Sequence, residues 1–208
     1  MTSEIISEKK IILTARIMSM IFTPFYLPLI GLIALFVFSY MNRLPLSYIL
    51  TVLAMVYLCT ILLPSLLIHM FRRYQGWTPM ESAKRESRIV PYIISIVCYF
   101  VCYYLMTLLQ MPSFIGRIVM AALLIQVICV IINIWWKIST HTAGIGGVTG
   151  GIMAFALFFD FNPLWWLSLV FIIAGMVGTS RIILRQHSLS QVLGGFGVGL
   201  ITAFIVIL

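Results

Sequence analysis

The chain has 208 residues, 62% of them hydrophobic and 9% charged, with a mean hydropathy of +1.15. Soluble domains are about 45–50% apolar and about 25% charged, so a water-solvated domain is excluded. The formal net charge of +8 falls in short loops between apolar runs rather than along a soluble face, which excludes nucleic acid and favours anionic lipid or phosphate as the partner.

A bilayer span needs about 20 mostly apolar residues. Runs near that length predict spans at 19–40, 47–70, 91–110, 117–136, 143–159, 163–179 and 188–208. The expected fold is an all-α polytopic membrane helical bundle of about six to seven transmembrane helices, with residues 1–208 forming a single integral membrane domain in contact with the lipid bilayer.

The opening MTSEIISEKK is charged, but the apolar region after it is too long for a signal-peptide core and has no small-residue cleavage site nearby, so the N-terminus is expected to be retained. Arg16, Pro24 and Pro28 interrupt the first span, and residues 5–20 have the alternative reading of an amphipathic interfacial entry helix. His69 lies near the end of the second span and reads as a polar helix end. Arg72, Arg73 and Arg185 read as interfacial or topogenic charges, and Lys137 reads similarly while remaining a candidate ligand beside Ser139. Cys59, Cys98, Cys102 and Cys129 all fall inside apolar runs, without the spacing of a disulfide framework or a zinc site, and read as packing residues. Trp77, Trp135, Trp136, Trp165 and Trp166 sit where interfacial aromatics are expected. The glycine clusters at 144–151 and 194–199, with Gly147/Gly151 and Gly195/Gly199 four residues apart, predict close helix packing rather than a phosphate cradle.

Alternating these spans across the bilayer puts the loops 71–90, 137–142 and 180–187 on one face, and 41–46, 111–116 and 160–162 on the other. Even counts of spans separate the loops of each face, so this partition is independent of the first helix. The first face collects Lys84, Arg85, Arg88, Ser139, Thr140, His141, Arg181 and His187. Ionisable residues at the ends of membrane helices are costly unless they pair or bind a ligand, so this cluster is the candidate functional site.

The cluster is cationic. Of the five carboxylates in the chain, only Glu81 and Glu86 lie near it, too few for a two-metal phosphatase whose paired cations need several carboxylate ligands. Basic side chains with two histidines suit a metal-free phosphoryl transfer without a cofactor. Cations stabilise the equatorial oxygens, one imidazole attacks phosphorus and the other protonates the leaving oxygen.

Three segments in order resemble the motifs of the type 2 phosphatidic acid phosphatase family. Ser139-Thr140-His141 is similar to that family's Pro-Ser-Gly-His, with Ser and His matched. Ser180-Arg181, five residues, His187, three residues and Gln191 is similar to Ser-Arg, five residues, His, three residues, Asp. Lys84 through Pro91, with Arg88 inside it, loosely resembles a Lys, six residues, Arg-Pro motif. The likeness runs from about Lys84 to Gln191, within a phosphatase-like core at about 84–208. It implies His187 as nucleophile, His141 as acid for the leaving group, and Arg181, Arg88 and Lys84 as phosphate ligands. It further implies Ser139 and Thr140, with nearby backbone amides, around the phosphate oxygens, and no metal.

The chain departs from the family pattern at Gln191, which supplies an acceptor for His187 without the charge of the family's carboxylate. Thr140 stands where the family has glycine. The implied activity is hydrolysis of a membrane lipid phosphate or diphosphate through a phosphohistidine. The alternatives are a lipid phosphotransferase using the same intermediate and a non-catalytic phospholipid-binding relative. Lys and Arg counts favour the cytoplasm for the cationic face, although phosphate-binding residues contribute to them. The resemblance implies the extracytoplasmic face, and a multi-pass protein of the bacterial inner membrane is expected.

Overall fold

In a computed structural model, residues 2–38, 40–75 and 89–208 are described. It is 86% helical, with no strand among the described residues. The helices are α1 (Thr2–Ile21), α2 (Leu27–Phe38), α3 (Leu46–Tyr57), α4 (Leu63–Tyr74), α5 (Ile89–Leu108), α6 (Ser113–Trp135), α7 (Thr140–Phe159), α8 (Leu164–Ile183) and α9 (Leu189–Ile207).

Among the described residues, six helices are long and apolar enough to cross a bilayer, and the chain is an integral multi-pass membrane protein. Helices α3 and α4 form one of these spans, Leu46–Tyr74, joined by a π-helical turn at Leu58–Leu62. The cause is Pro64, which has no N–H to donate and whose ring would clash with the carbonyl one turn back. Within the turn, the Thr60 hydroxyl donates to the Val56 carbonyl at 2.8 Å.

The first expected span differs from the structure. A single helix over 19–40 does not form; the chain breaks at Phe22–Tyr26 between α1 and α2. Pro24 is the reason, since it biases Thr23 away from helical backbone and interrupts the hydrogen-bond ladder. With 12 residues, α2 is about 18 Å long, short of the roughly 30 Å hydrocarbon core. Helix α1 packs on α8 and matches the alternative reading of 5–20 as a separate entry helix.

Lipid tails are as apolar as leucine, so association between spans relies on close packing more than on transfer from water. Helix α7 is the centre of that packing. It is 56% buried, against 22–28% for the other spans, and its most extensive contact is with α9. On α7, a Cβ at Gly146 or Gly150 would run into the carbonyl oxygens of Phe196 or Leu200; on α9, a Cβ at Gly195 or Gly199 would run into those of Ser139 or Ala143. The expected Gly195/Gly199 pair is therefore at the helix contact. On α7 the residues at this contact are Gly146 and Gly150 together with Gly147 of the expected pair, whose amide nitrogen stands 2.8 Å from where a Gly199 Cβ would be; Gly151 meets only the side chain of Ile207.

All four cysteines are free and buried, as packing residues should be. Trp135 and Trp165 face outward at 78% and 84% exposure, as interfacial aromatics do. Trp77 lies outside the described residues.

Gly199→Ala should destabilise the protein by about 2–3 kcal/mol, because the obstacle is backbone and cannot rotate away. Gly175→Ala, where a Cβ meets nothing within 4 Å, should be neutral or slightly stabilising. Thermal unfolding in detergent checks the pair, and equal effects would contradict the assigned packing.

Candidate active site

The motif around His141 is built by a helix start. Ser139 is the N-cap of α7: its backbone is extended, and its hydroxyl accepts from the Thr142 amide at 3.4 Å. The Thr142 hydroxyl donates back to the Ser139 carbonyl at 3.1 Å. Ser139 is wholly buried, so its hydroxyl serves the helix end and fixes the first turn, on which His141 sits. Thr140, immediately before His141, lines an apolar cavity inside the bundle.

The second motif spans the connection from α8 to α9. After α8 the chain folds back, with Arg185 in the left-handed region at φ 51°. The amides of Gln186 and His187 then donate to the Arg181 carbonyl at 3.1 and 3.4 Å. The five-residue spacing between Arg181 and His187 therefore closes a backbone loop that holds both residues at one end of the bundle.

Gln191 makes two contacts through one atom. Its Oε1 accepts from the Ser188 amide at 3.2 Å, forming the capping box of α9, and lies 3.2 Å from His187 Nδ1. The Ser188 amide can only donate, so the atom it meets must be the carboxamide oxygen; His187 Nδ1 must in turn be the protonated nitrogen. The imidazole lone pair is then on Nε2. Gln191 thus orients His187 through a neutral acceptor.

The two motifs meet through the glycine contact. The Ser139 amide donates to the Gln191 carbonyl at 3.3 Å, joining the first residues of α7 and α9. Arg181 and His187 lie close enough to act electrostatically on His141. His141, His187, Arg181, Ser139 and Gln191 are therefore brought to one end of the bundle, as the loop partition predicts. Lys84, Arg88 and the rest of the first motif lie outside the described residues, as do Arg85, Glu81 and Glu86.

Ser19 is the residue that sequence reasoning missed. It is buried near the end of α1. Its hydroxyl accepts from Arg181 Nη1, and its backbone lies beside the His141 ring. His141 Nδ1 is buried with no hydrogen-bond partner among the described residues. No sequence signal marked Ser19, because a serine in an apolar run commonly bonds its own helix. His69 is exposed on α4. Among the described residues, no three His, Cys, Asp or Glu side chains come together as a metal site.

The chain matches no protein-family model, no curated protein and no solved structure.

Ser139→Ala should cost about 1 kcal/mol by removing the cap of α7, while Ser139→Asp, which keeps an acceptor at the N-cap, should retain more of that stability. Thermal unfolding in detergent measures both. No loss in Ser139→Ala would show that the hydroxyl does not serve the helix.

Proposed function

We propose that the protein is a metal-independent phosphatase acting on a membrane lipid phosphate or diphosphate, with a phosphohistidine intermediate on His187. The observation that carries this reading is the meeting of His187, whose lone pair is set on Nε2 by Gln191, with His141 and Arg181. The site is cationic and lies at the end of membrane helices, so an anionic head group on a hydrophobic anchor complements it.

In the first step His187 Nε2 attacks phosphorus and the phosphorus–oxygen bond to the lipid breaks. His141 gives a proton to the departing oxygen. In the second step His141 takes a proton from water, the oxygen attacks phosphorus, and the phosphorus–nitrogen bond breaks to release inorganic phosphate. Arg181 stabilises the equatorial oxygens, joined by Lys84 and Arg88 from the preceding loop. Ser139 and Thr140 frame the pocket at the start of α7. We assign the site to the extracytoplasmic face of a bacterial inner membrane, following the family resemblance.

The Ser19 hydroxyl accepts from the Arg181 guanidinium. A phosphate oxygen can replace the hydroxyl as acceptor at little cost, because the guanidinium exchanges one hydrogen bond for a stronger, charge-assisted one.

Phosphate release from a panel of lipid phosphates, in detergent with chelator present, tests the reading. His187→Ala should abolish turnover, and His141→Ala should lower kcat by about 10²–10⁴. Unchanged activity in His187→Ala would refute the mechanism. Phosphate appearing on an added lipid acceptor instead of in solution would indicate a phosphotransferase, and lipid binding without turnover a non-catalytic relative.

Gln191 allows a sharper test. Gln191→Glu preserves the side-chain length needed for both contacts and adds the missing charge. It should raise kcat by about tenfold or more, within the roughly 10⁴ that an orienting carboxylate can supply. Gln191→Leu should lower kcat by about 10² by releasing the ring. Equal rates in wild type, Gln191→Glu and Gln191→Leu would remove Gln191 from the chemistry.

A further inference from the structure

A half-open cavity of about 390 Å³ lies among α2, α6, α7 and α8, with α5 and α9 completing its wall, within the size range of ligand pockets, about 300–1,000 Å³. Its wall follows one stripe of α7 through Thr140, Gly144, Gly147, Gly151 and Phe155, a stretch that rises about 22 Å along the helix. At the far end it reaches Phe161, Trp166 and Ile207, the last of these on the final turn of α9. The chamber therefore starts at Thr140, the residue before His141 in the chain, and runs most of the way to the opposite face.

The wall is apolar apart from a few groups. Among these, the Ser95 hydroxyl is turned back to the Pro91 carbonyl at 2.8 Å. The second glycine stripe of α7 finds its explanation here. A Cβ on Gly147 or Gly151 would press on the ends of Ile125 and Ile207, both chamber residues, and Gly147 also borders the backbone of α9 at Gly199. Gly31 of α2 also lines the chamber, and a Cβ there meets nothing within 4 Å.

We propose that this chamber holds the hydrocarbon chain of the lipid phosphate, a single long chain threaded along α7 with its phosphate at His187 and Arg181. The inference rests on the phosphatase reading for the identity of the head group. Thr140 carries the continuity, since it belongs to the site motif and to the chamber wall. One narrow passage along a single helix stripe suits one extended chain better than two acyl chains side by side. The chamber thereby selects substrates by chain length as well as by head group.

The test uses octadecyl and hexyl phosphates carrying a diazirine at the chain end, photolysed with the full-length protein in detergent. Adducts are mapped by mass spectrometry, and phosphate release is measured in the same samples. The octadecyl probe should label Phe161, Trp166 or Ile207, and the hexyl probe should label the Leu27–Gly144 level. Excess unlabelled octadecyl phosphate should suppress both. Gly31→Phe and Ala122→Phe, which fill the chamber from two different helices, should each reduce far-end labelling by about tenfold, a loss of about 1.4 kcal/mol in binding. Their thermal unfolding is followed alongside, so that a variant that fails to fold is set aside and the other decides.

Labelling confined to outward residues such as Trp165, Phe171 and Ile172, insensitive to chain length and to both variants, would overturn the chamber. Far-end labelling without phosphate release would leave the chamber standing and overturn the phosphatase reading. Release without chamber labelling would do the reverse.

Discussion

The backbone-to-backbone approach of α7 and α9 is the constraint on which the rest of the structure depends. Glycines at 146, 150, 195 and 199 let each helix bring its chain against carbonyl oxygens of the other, which side chains of any size would prevent. In a bilayer, where apolar side chains gain little by leaving lipid, such contact supplies dispersion and weak Cα–H···O interactions that looser packing forfeits. It also sets the register of the two helices, so that the Ser139 amide reaches the Gln191 carbonyl at 3.3 Å. The two histidines stand 46 positions apart in the chain; this contact makes them parts of one site.

Around that contact, a few polar groups each serve more than one purpose. Gln191 caps α9 and fixes the tautomer of His187 with the same oxygen. The Arg181 carbonyl closes the loop to His187 while its guanidinium reaches Ser19. Each polar group buried in the membrane carries a desolvation cost. Shared use keeps their number small, consistent with a chain that is only 9% charged. Helix α1 completes the arrangement: too polar to read as a span, it delivers Ser19 to the cationic residues from outside the set of six crossing helices.

Much of this was legible in the sequence, and the reason is periodicity. Six apolar runs long enough to span a bilayer gave their helices to within a few residues, and their alternation put His141, Arg181 and His187 on one face before any geometry was known. The first run misled because hydropathy averages over a window, whereas Pro24 acts at one backbone position. The glycine contact on α7 was legible only in part, with Gly147 expected and Gly146 and Gly150 not, for a related reason. Both Gly146/Gly150 and Gly147/Gly151 have helical spacing, and only the orientation of α7 between α9 and the cavity separates their roles. Ser19 was invisible because its partners lie about 120 and 160 residues away, a distance no local pattern records.

The presence of a glutamine beside His187 also has a structural reading. Glutamine at the third position of α9 is the residue a serine-led capping box uses. Its oxygen can satisfy the helix and the imidazole together, so orientation needs no charge. The chemistry proposed for His187 then depends on orientation plus the surrounding cations rather than on an adjacent anion.

The central claim is that His187 becomes covalently phosphorylated, and trapping that adduct tests it most directly. Lipid phosphate labelled in its phosphoryl group should be mixed with the protein for a short interval, quenched in alkali, digested and analysed by mass spectrometry. The account predicts an acid-labile, alkali-stable phosphoryl group on His187, absent in Gln191→Leu at early times and accumulating in His141→Ala when the leaving group needs no proton. A phosphoryl group on another residue, or turnover with no covalent adduct under any of these conditions, would contradict it.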